Sequence, residues 1–252
     1  MDSSQQVALI TGATSGIGAA TARRFALGGM RVIALGRRPE RLQELADELG
    51  TRCLPLAVDV TDDEIVRAAI ANLPADFANI DVLVNNAGTA VGNTAVDVAQ
   101  LSNWRRMVDT NIQGLLSVTH AVTPRMIARR RGHIINIGSI TARYPSPGGG
   151  VYGATKAFVR QLTLNMRADL APFDIRCTCI EPGTTKTEFA RTRLEGDAAA
   201  ADAFYDHVGI LAPEDVAGIV WYAASLPPHI NINLLEVMPT RQTFSFFTFI
   251  DD

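Results

Sequence analysis

The chain has 252 residues, of which 47% are hydrophobic and 19% charged, and its formal net charge is −3. This composition excludes a disordered chain, and the length suits one large α/β domain or two small ones. The weak negative charge does not indicate a nucleic-acid partner, and no apolar run reaches the ~18 residues of a membrane span. A strand-like run begins at Val7 and leaves no room for a signal peptide, so we expect a cytoplasmic protein.

Three cysteines and four histidines are scattered along the chain without metal-ligand spacing. Cys177 and Cys179 alternate in an apolar run, which predicts that both point to one face of a buried strand. An odd, sparse set of cysteines also favours a reducing compartment. The sequence therefore predicts neither a bound metal nor a redox role for the thiols.

Short β-branched runs alternate with longer amphipathic stretches through most of the chain. The strand-like runs are Val7–Thr11, Arg31–Leu35, Arg52–Val58, Val82–Asn85, His133–Gly138, Ile175–Glu181 and Leu234–Met238. The helical stretches lie near 16–28, 39–49, 62–72, 101–130, 151–171 and 213–225. This alternation predicts an α/β fold: a doubly wound parallel sheet of Rossmann type, with about seven strands and helices on both faces.

A single domain spanning residues 1–252 is predicted, because no linker, repeat or low-complexity block interrupts this order. The irregular segment near 182–212 is too polar for a core and is a candidate lid over the active site. The tail 240–252 carries aromatic rings at Phe244, Phe246, Phe247 and Phe249. Such a tail is too apolar for a free C-terminus, so we expect it to contact another subunit or, alternatively, its own domain.

A glycine-rich loop follows the first strand and opens directly into a helix, in Thr11-Gly12-Ala13-Thr14-Ser15-Gly16-Ile17-Gly18. Glycines allow a tight turn and a close approach of the backbone to a pyrophosphate, which then meets free N–H groups at the helix N-terminus. The position between the first strand and the first helix favours a dinucleotide site over a merely tight turn.

Two arginines, Arg37 and Arg38, follow the second strand. A site that prefers NAD carries an acidic residue here, which binds the ribose 2′-OH. Guanidinium groups instead suit a 2′-phosphate. The sequence therefore predicts NADP(H) as the cofactor, the alternative being that both arginines lie in a solvated loop.

Lysine is rare in this chain, with two residues against twenty-one arginines, yet one lysine completes Tyr152-Gly-Ala-Thr-Lys156. These counts would produce a Tyr-x-x-x-Lys by chance in roughly 3% of chains. The i, i+4 spacing places both side chains on one face of a helix. A cation ~4–6 Å from a phenol lowers its pKa, toward the range of a general acid or base. The alternative is an exposed helix on which the two side chains do not cooperate.

Over essentially its whole length the chain resembles the short-chain dehydrogenase/reductase family. The resemblance rests on the glycine-rich loop, Asp59-Val60, Asn85-Asn86-Ala87-Gly88, the Tyr152 and Lys156 pair and Pro182-Gly183. It implies a catalytic set of Asn111, Ser139, Tyr152 and Lys156. It implies a cofactor site of Gly12, Thr14, Ser15, Gly16, Ile17, Gly18, Arg37, Arg38, Asp59, Val60, Asn86, Ala87, Gly88, Tyr152, Lys156, Pro182, Gly183, Thr185 and Thr187.

The expected chemistry is reduction of a carbonyl group, with the hydride coming from nicotinamide. Ser139 follows an apolar strand and can hold the carbonyl oxygen, while Tyr152 donates the proton. Lys156 is expected to lower the pKa of the tyrosine and, by resemblance, to bind the nicotinamide ribose. By resemblance, Asn111 would hold a water that links Lys156 to solvent; the alternative is a capping or packing amide.

Within the family the chain is similar to the NADP-dependent 3-hydroxy acid dehydrogenases, through segments 34–45, 133–139, 151–160, 180–183 and 226–239. This similarity implies a small anionic aldehyde or 3-oxo acid as substrate and a homotetramer or homodimer. A guanidinium can grip the acid group, so the candidate substrate residues are Ser139, Arg143, Tyr152, Arg193 and Arg241. Arg193 is preferred, with a solvated lid residue as the alternative.

The tail from Thr240 departs from the pattern of that group, so a sulfoacetaldehyde reductase is an alternative. Two further alternatives are a nucleotide sensor that has lost catalysis and a nucleotide-sugar epimerase. The intact Ser139, Tyr152 and Lys156 argue against the sensor. The short stretch after Lys156 argues against the epimerase, because it leaves no length for a second domain.

Overall fold

A seven-stranded sheet forms the centre of the computed structural model, which describes residues 6–207, 209–244 and 249–250. The strands are β1 Val7–Thr11, β2 Arg31–Gly36, β3 Cys53–Ala57, β4 Ile80–Asn85, β5 Gly132–Ile137, β6 Ile175–Pro182 and β7 Leu234–Val237. All of them pair in parallel, in the spatial order β3-β2-β1-β4-β5-β6-β7. The predicted fold class is confirmed, and each strand begins and ends within two residues of its predicted bounds.

Helices cover both faces of the sheet. They are α1 Gly16–Leu27, α2 Pro39–Leu49, α3 Asp63–Ala71, α4 Leu101–Val108, α5 Gly114–Arg129, α6 Gly150–Leu170, α7 Phe189–Arg193, α8 Ala198–Ala203 and α9 Pro213–Ser225. One apolar core lies under α1, α2 and α9 and includes Phe25, Leu42 and Val220. The other lies under α3, α5 and α6 and includes Val66, Val118 and Met166.

The strand order reverses between β1 and β4, which are neighbours in the sheet although two strands separate them in the chain. Loops that leave the carboxyl ends of these strands diverge to opposite faces and open a crevice between them. The loops after β5 and β6 continue the same edge. The topology therefore brings four loops from distant parts of the sequence to one place.

The stretch 101–130, predicted as one helix, is broken by a π-helical turn at Asp109–Gln113 between α4 and α5. Asn111, in the middle of this turn, is buried, and its side chain bonds the backbone of Thr89. A π turn holds one more residue than an α turn, and such turns occur often at functional sites. The amphipathic pattern did not reveal the break, because the apolar residues on both sides keep a helical period.

The segment 182–212 contains more regular structure than the sequence analysis predicted, because α7 and α8 lie in it. Its two ends lie side by side through a bridge between Thr185 and Leu211. Three of its residues, Ala190, Arg193 and Ala201, are buried. The position of α7 over the edge that carries β6 agrees with a lid, which remains a proposal.

The tail contacts its own chain wherever it is described. The Gln242 amide accepts a hydrogen bond from Thr184 N at 2.9 Å and donates one to Thr184 Oγ1 at 3.0 Å. The ring of Phe244 lies 5.2 Å from that of Tyr144, and Phe249 stacks on His207 at 4.2 Å. Phe246 and Phe247 lie outside the described residues. A subunit contact by the tail remains a prediction.

Cys177 and Cys179 are buried in β6, and the pKa of each thiol is raised to about 12, chiefly by burial. None of the described helices is long and apolar enough to cross a membrane. Within the described ranges, no group of three or more His, Cys, Asp and Glu side chains is arranged to hold a metal ion.

Candidate active site

A cleft of about 360 Å³ lies along the carboxyl ends of the strands. It brings together nearly all of the residues predicted from sequence. The predicted residues in its wall are Gly12, Thr14, Ser15, Gly16, Ile17, Arg37, Arg38, Asp59, Val60, Asn86, Ala87, Gly88, Ser139, Tyr152, Lys156, Pro182, Gly183, Thr185 and Thr187. Of the predicted cofactor and catalytic residues, Gly18 and Asn111 are not part of the described wall.

The glycine-rich loop lies against the end of β4. Gly12 has a φ of +67°, and a Cβ atom at this position would come within 2.9 Å of the Asn86 amide nitrogen. That nitrogen donates to the carbonyl of Thr11 at 2.9 Å, while the Thr11 hydroxyl accepts from the backbone amides of Asn86 and Ala87. Glycine is therefore required at Gly12 both for its backbone conformation and for space.

Gly18 lies behind the loop rather than in the cleft. A Cβ atom here would be 2.2 Å from the carbonyl oxygen of Gly12, so a side chain would push α1 away from the loop. Within the described chain, the Ser15 side chain makes no capping hydrogen bond to α1. The first-turn amides of α1 thus face the cleft without a side-chain cap, which is the arrangement that binds a pyrophosphate.

Arg37 and Arg38 occupy the end of the cleft beyond the loop. Arg38 donates from Nε and Nη2 to Thr14 Oγ1, at 3.1 and 2.8 Å, and from Nη2 to Ser15 Oγ at 2.8 Å. Arg37 lies 3.7 Å from the Asp59 carboxylate and is more exposed. The two guanidinium groups create a positive pocket at the point where the ribose of a bound dinucleotide would lie.

Glu188, in the candidate lid, reaches the same arginines and was missed by the sequence analysis. Its carboxylate accepts from Arg38 Nη1 at 2.9 Å and from Arg41 Nη1 at 2.5 Å. Burial alone would raise the pKa of Glu188, but hydrogen bonds from Arg41 and Arg38 hold it below its ordinary value. Glu188 follows Arg38 by 150 residues, and no spacing in the sequence relates the two.

Ser139 begins a short 3-10 turn directly after β5. Its hydroxyl oxygen accepts hydrogen bonds from Thr141 N at 3.2 Å and from Thr141 Oγ1 at 2.9 Å. Because these contacts use the lone pairs of the oxygen, the Ser139 proton can be donated to a group in the cleft. Thr141 therefore orients the serine as a donor, a role that the sequence did not indicate.

Tyr152 and Lys156 both lie on the inner face of α6 and are buried. The Lys156 nitrogen is 5.8 Å from the centre of the tyrosine ring and donates a hydrogen bond to the Ile137 carbonyl. Burial lowers the pKa of Lys156 to about 8, so at neutral pH the group is still mostly protonated. The pair predicted from the i, i+4 spacing is thus brought together.

The structure contradicts the predicted lowering of the Tyr152 pKa. Burial raises this pKa to about 12, although the Ser139 hydrogen bond and the charge of Arg193 act in the opposite direction. The reason is that a buried phenolate loses its hydration, and this cost outweighs the nearby positive charges. The phenol is therefore protonated at neutral pH.

Asn111 lies one layer behind the predicted catalytic side chains. Its amide accepts from Thr89 N at 2.7 Å and donates to Thr89 O at 2.9 Å and to Thr155 Oγ1 at 3.0 Å. Thr155 in turn donates to the carbonyl of Tyr152 at 2.7 Å. The side chain thus joins the loop after β4 to α6, as expected if Asn111 is a packing amide. A role in holding a water stays a prediction.

Three arginines predicted for the substrate lie outside the described wall of the cleft, each for a different reason. Arg193 is buried in α7, 5.9 Å from the Tyr152 ring centre, and donates to Asn93 Oδ1 at 2.9 Å. It is therefore not the solvated residue of the alternative reading. Arg143 is half exposed and lies 3.8 Å from Glu236, and Arg241 lies in the turn that precedes Gln242.

The end of the cleft beside Tyr152 carries aromatic side chains that the sequence analysis did not select. Phe189 lies 5.3 Å from the Tyr152 ring, and Phe204 and Tyr205 complete the wall. All three belong to the candidate lid, residues 182–212. Their place in the sequence, after Pro182-Gly183, could have indicated the segment but not the individual residues.

Known proteins resemble this chain over nearly its whole length. A family model described as short chain dehydrogenase matches residues 6–198. The NADP-dependent 3-hydroxy acid dehydrogenase YdfG of Escherichia coli strain K12 is 49% identical over 240 residues, which cover 95% of this chain and 97% of the relative. The serine 3-dehydrogenase of Rhizobium radiobacter is 49% identical over 239 residues, with 95% and 96% covered.

A solved structure described as the closed form of serine dehydrogenase complexed with NADP+ superimposes with a TM-score of 0.94. Its sequence is 47% identical, and the match covers 98% of this chain and 100% of that one. The family resemblance predicted from the sequence is therefore confirmed: this chain belongs to the short-chain dehydrogenase family.

Proposed function

We propose that the protein is an NADP-dependent oxidoreductase that transfers a hydride between NADP(H) and a small anionic hydroxy acid or its oxo form. The observation that carries this proposal is the joining, in one cleft, of a serine–tyrosine–lysine set and an arginine pocket. The relatives named above are NADP-dependent or serine dehydrogenases, which supports a CH–OH donor.

The residues of the cleft fit NADP(H) on three grounds. The first-turn amides of α1 lack a side-chain cap and suit the pyrophosphate. Gly12, whose φ of +67° and close contact with Asn86 exclude a side chain, lets the loop turn tightly beside the cleft. Arg37 and Arg38 suit a 2′-phosphate, and they stand directly after β2, where an acidic side chain would accept a hydrogen bond from a 2′-OH. The cofactor of this enzyme is therefore NADP(H), and when bound it supplies or accepts the hydride.

Ser139 and Tyr152 act together on the oxygen of the substrate. The Ser139 proton is directed into the cleft by the two hydrogen bonds from Thr141, and Tyr152 is protonated because its pKa is about 12. Two donors on one carbonyl oxygen stabilise the negative charge that develops there during reduction. Tyr152 then transfers its proton to that oxygen, which suits a general acid.

Lys156 stabilises this arrangement with its charge. In the oxidation direction Tyr152 must accept a proton from the alcohol, so its negative form has to be stabilised. The ammonium group lies 5.8 Å from the centre of the ring and favours the phenolate. Lys156 also lines the cleft, which supports the predicted binding of the nicotinamide ribose by this side chain. Asn111 fixes α6 to the loop after β4 and so keeps Tyr152 in position.

Arg193 is the proposed partner of the acid group of the substrate. Its guanidinium lies beside the catalytic tyrosine, where a bidentate contact with a carboxylate or sulfonate would orient the carbonyl toward Ser139. Arg143 and Arg241 stay secondary candidates. The guanidinium suits both kinds of acid group, so 3-hydroxy acid oxidation and sulfoacetaldehyde reduction are two outcomes of one test.

A panel of substrates tests the proposal. NADPH oxidation is measured with malonic semialdehyde, sulfoacetaldehyde, succinic semialdehyde and a neutral aldehyde of similar size. NADP+ reduction is measured with serine and 3-hydroxypropionate. We expect the anionic aldehydes to give the highest kcat/KM, and the better of the two acid types then names the substrate class. Absence of turnover, or equal kcat/KM with the neutral aldehyde, would overturn the proposal.

The assembly and location are proposals of the same kind. The resemblance to the 3-hydroxy acid group favours a homotetramer or homodimer, which light scattering of the purified chain measures. The free, buried thiols of Cys53, Cys177 and Cys179 are in keeping with a cytoplasmic location. One domain spanning the chain, with 182–212 as its lid, completes the proposal.

A further inference from the structure

The lid places a carboxylate on the arginines that face the ribose end of the cleft. Arg38 immediately precedes α2, Arg41 lies in its first turn, and Glu188 immediately precedes α7. The Glu188 carboxylate bridges both guanidinium groups, one through each oxygen. All three side chains are about half exposed, so water and a ligand can both reach them.

The hydrogen bonds of Arg38 leave little room for a further anion. A guanidinium has five N–H donors. Four of these five make hydrogen bonds here: three go to Thr14 and Ser15, and the fourth goes to Glu188. The hydroxyls of Thr14 and Ser15 are neutral, whereas Glu188 carries a negative charge. An incoming phosphate group therefore meets its strongest competitor at Glu188.

We propose that Glu188 is a specificity-determining residue, which competes with the 2′-phosphate of NADP(H) for Arg38 and Arg41 and so links the choice of cofactor to the anchoring of the lid. The inference rests on the proposed function, which makes NADP(H) the cofactor. NAD(H) carries a neutral 2′-hydroxyl at the same point, so it leaves both pairs of Glu188 intact.

The neighbours of Glu188 extend its effect toward the substrate. On one side, the methyl group of Thr187 lies over the cofactor loop, 3.0 Å from where a Cβ atom of Gly16 would be. On the other side, the ring of Phe189 lies 5.3 Å from that of Tyr152. Three consecutive residues thus run from the pyrophosphate loop to the catalytic tyrosine. A phosphate that displaces Glu188 releases the anchor at the start of α7.

The first test measures binding by the full-length protein of two fragments that differ in the 2′-phosphate: adenosine 2′,5′-bisphosphate and AMP. Glu188→Gln removes the competing charge, so we expect the bisphosphate to bind about 3- to 20-fold more tightly and AMP to bind as before. Glu188→Asp keeps the charge and should stay closer to the wild type than Glu188→Gln. Glu195→Gln is the matched control, because Glu195 lies in the same lid but pairs with Asn103.

Three results of that test would overturn the inference: weaker binding of the bisphosphate by Glu188→Gln, an equal change for AMP, or no change for either. The first would mean that Glu188 holds the arginines in place for the phosphate. A failure of the proposed function looks different, because it would appear in the wild type as equal affinity for NADPH and NADH.

The second test measures the link to the lid by hydrogen exchange of the α7 amides at saturating concentrations of either fragment. In the wild type we expect faster exchange with the bisphosphate than with AMP, because only the bisphosphate displaces Glu188. In Glu188→Gln the two fragments should give the same rate. Equal or slower exchange with the bisphosphate in the wild type would refute the link.

Discussion

Lys156 donates a hydrogen bond of 2.8 Å from its ammonium nitrogen to the main-chain carbonyl of Ile137. Ile137 is the last residue of β5, two positions before Ser139, whereas Lys156 lies one turn after Tyr152 on α6. The contact therefore ties the strand end that carries the serine to the helix that carries the tyrosine. Lys156 therefore helps to hold Ser139 and Tyr152 in place, in addition to supplying a positive charge.

Tyr152→Phe should abolish proton donation while preserving the fold and the affinity for NADPH, because the ring still packs against Phe189. We expect kcat to fall by about 10²- to 10⁴-fold, the usual contribution of a positioned general acid or base. Steady-state kinetics measures the loss, and thermal unfolding with NADPH titration serves as the control. Near-normal turnover would exclude Tyr152 as the proton donor.

Arg37→Ala should weaken NADPH binding and leave NADH almost unchanged. The side chain is 59% exposed, so we expect about 1.5 kcal/mol, the lower end for a hydrogen bond to a charged group. Fluorescence titration with both cofactors gives the two dissociation constants. Equal losses for NADPH and NADH would show that Arg37 does not recognise the 2′-phosphate.

Arg193→Ala should raise KM for an anionic aldehyde far more than for a neutral aldehyde of similar size. The change also removes a buried contact with Asn93, so Arg193→Lys, which keeps a positive charge, is measured beside it. Arg191→Ala, an exposed arginine of the same helix, is the control. If both aldehydes suffer alike, Arg193 has only a structural role; if neither suffers, the anion site lies elsewhere.

Glu181→Gln should stabilise the protein at alkaline pH. Glu181 is fully buried beside Arg160, and burial raises its pKa to about 6, with the charge of Glu236 adding to the effect and those of Arg160 and Arg143 opposing it. A pKa raised in the folded state favours the protonated acid. Its stabilising effect is complete below the unfolded pKa of 4.5 and is lost as pH rises through about 6.

The ionised side chain therefore costs about 1–2 kcal/mol at pH 8. A neutral amide of the same shape avoids this cost, so the variant should melt higher than the wild type at pH 8 and not at pH 5. Glu44→Gln, an exposed residue of α2, controls for general charge effects. A lower melting temperature at pH 8 would mean that the ion pair with Arg160 is net stabilising.

Deleting residues 243–252 should raise KM or lower the oligomeric state. The deletion removes the stacking of Phe249 on His207 in the lid and the contact of Phe244 with Tyr144. Gln242, which holds Thr184, stays in the shortened chain. KM is measured by steady-state kinetics and the mass by light scattering. If both are unchanged, the tail has no role in catalysis or assembly.

The sheet and the cofactor loop could be predicted from the sequence because their signals are local. A β-branched run such as Val7–Thr11 and the glycines that follow it define a strand and its turn within a few residues. The Tyr152 and Lys156 pair is local in the same way, since four residues of helix fix their distance. Local patterns therefore predicted the fold and the tyrosine–lysine pair.

What the sequence could not predict depends on contacts between distant segments. Glu188 reaches Arg38 across 150 residues, and the π turn around Asn111 is explained by hydrogen bonds with Thr89. The pKa of Tyr152 depends on how deeply α6 is buried, which no spacing reports. The sequence showed which residues carry charge. Whether the pKa of Tyr152 rises or falls depends on how the chain packs around it.

The bonds of Thr11 and Asn86 have a thermodynamic consequence for the cofactor. They fix the glycine-rich loop through contacts within the chain, so the conformational entropy of this loop is lost when the protein folds rather than when the dinucleotide arrives. A binding site that is already rigid loses less conformational entropy when its ligand binds. Ordering the loop during folding thus lowers the stability of the native state and raises its affinity for the dinucleotide.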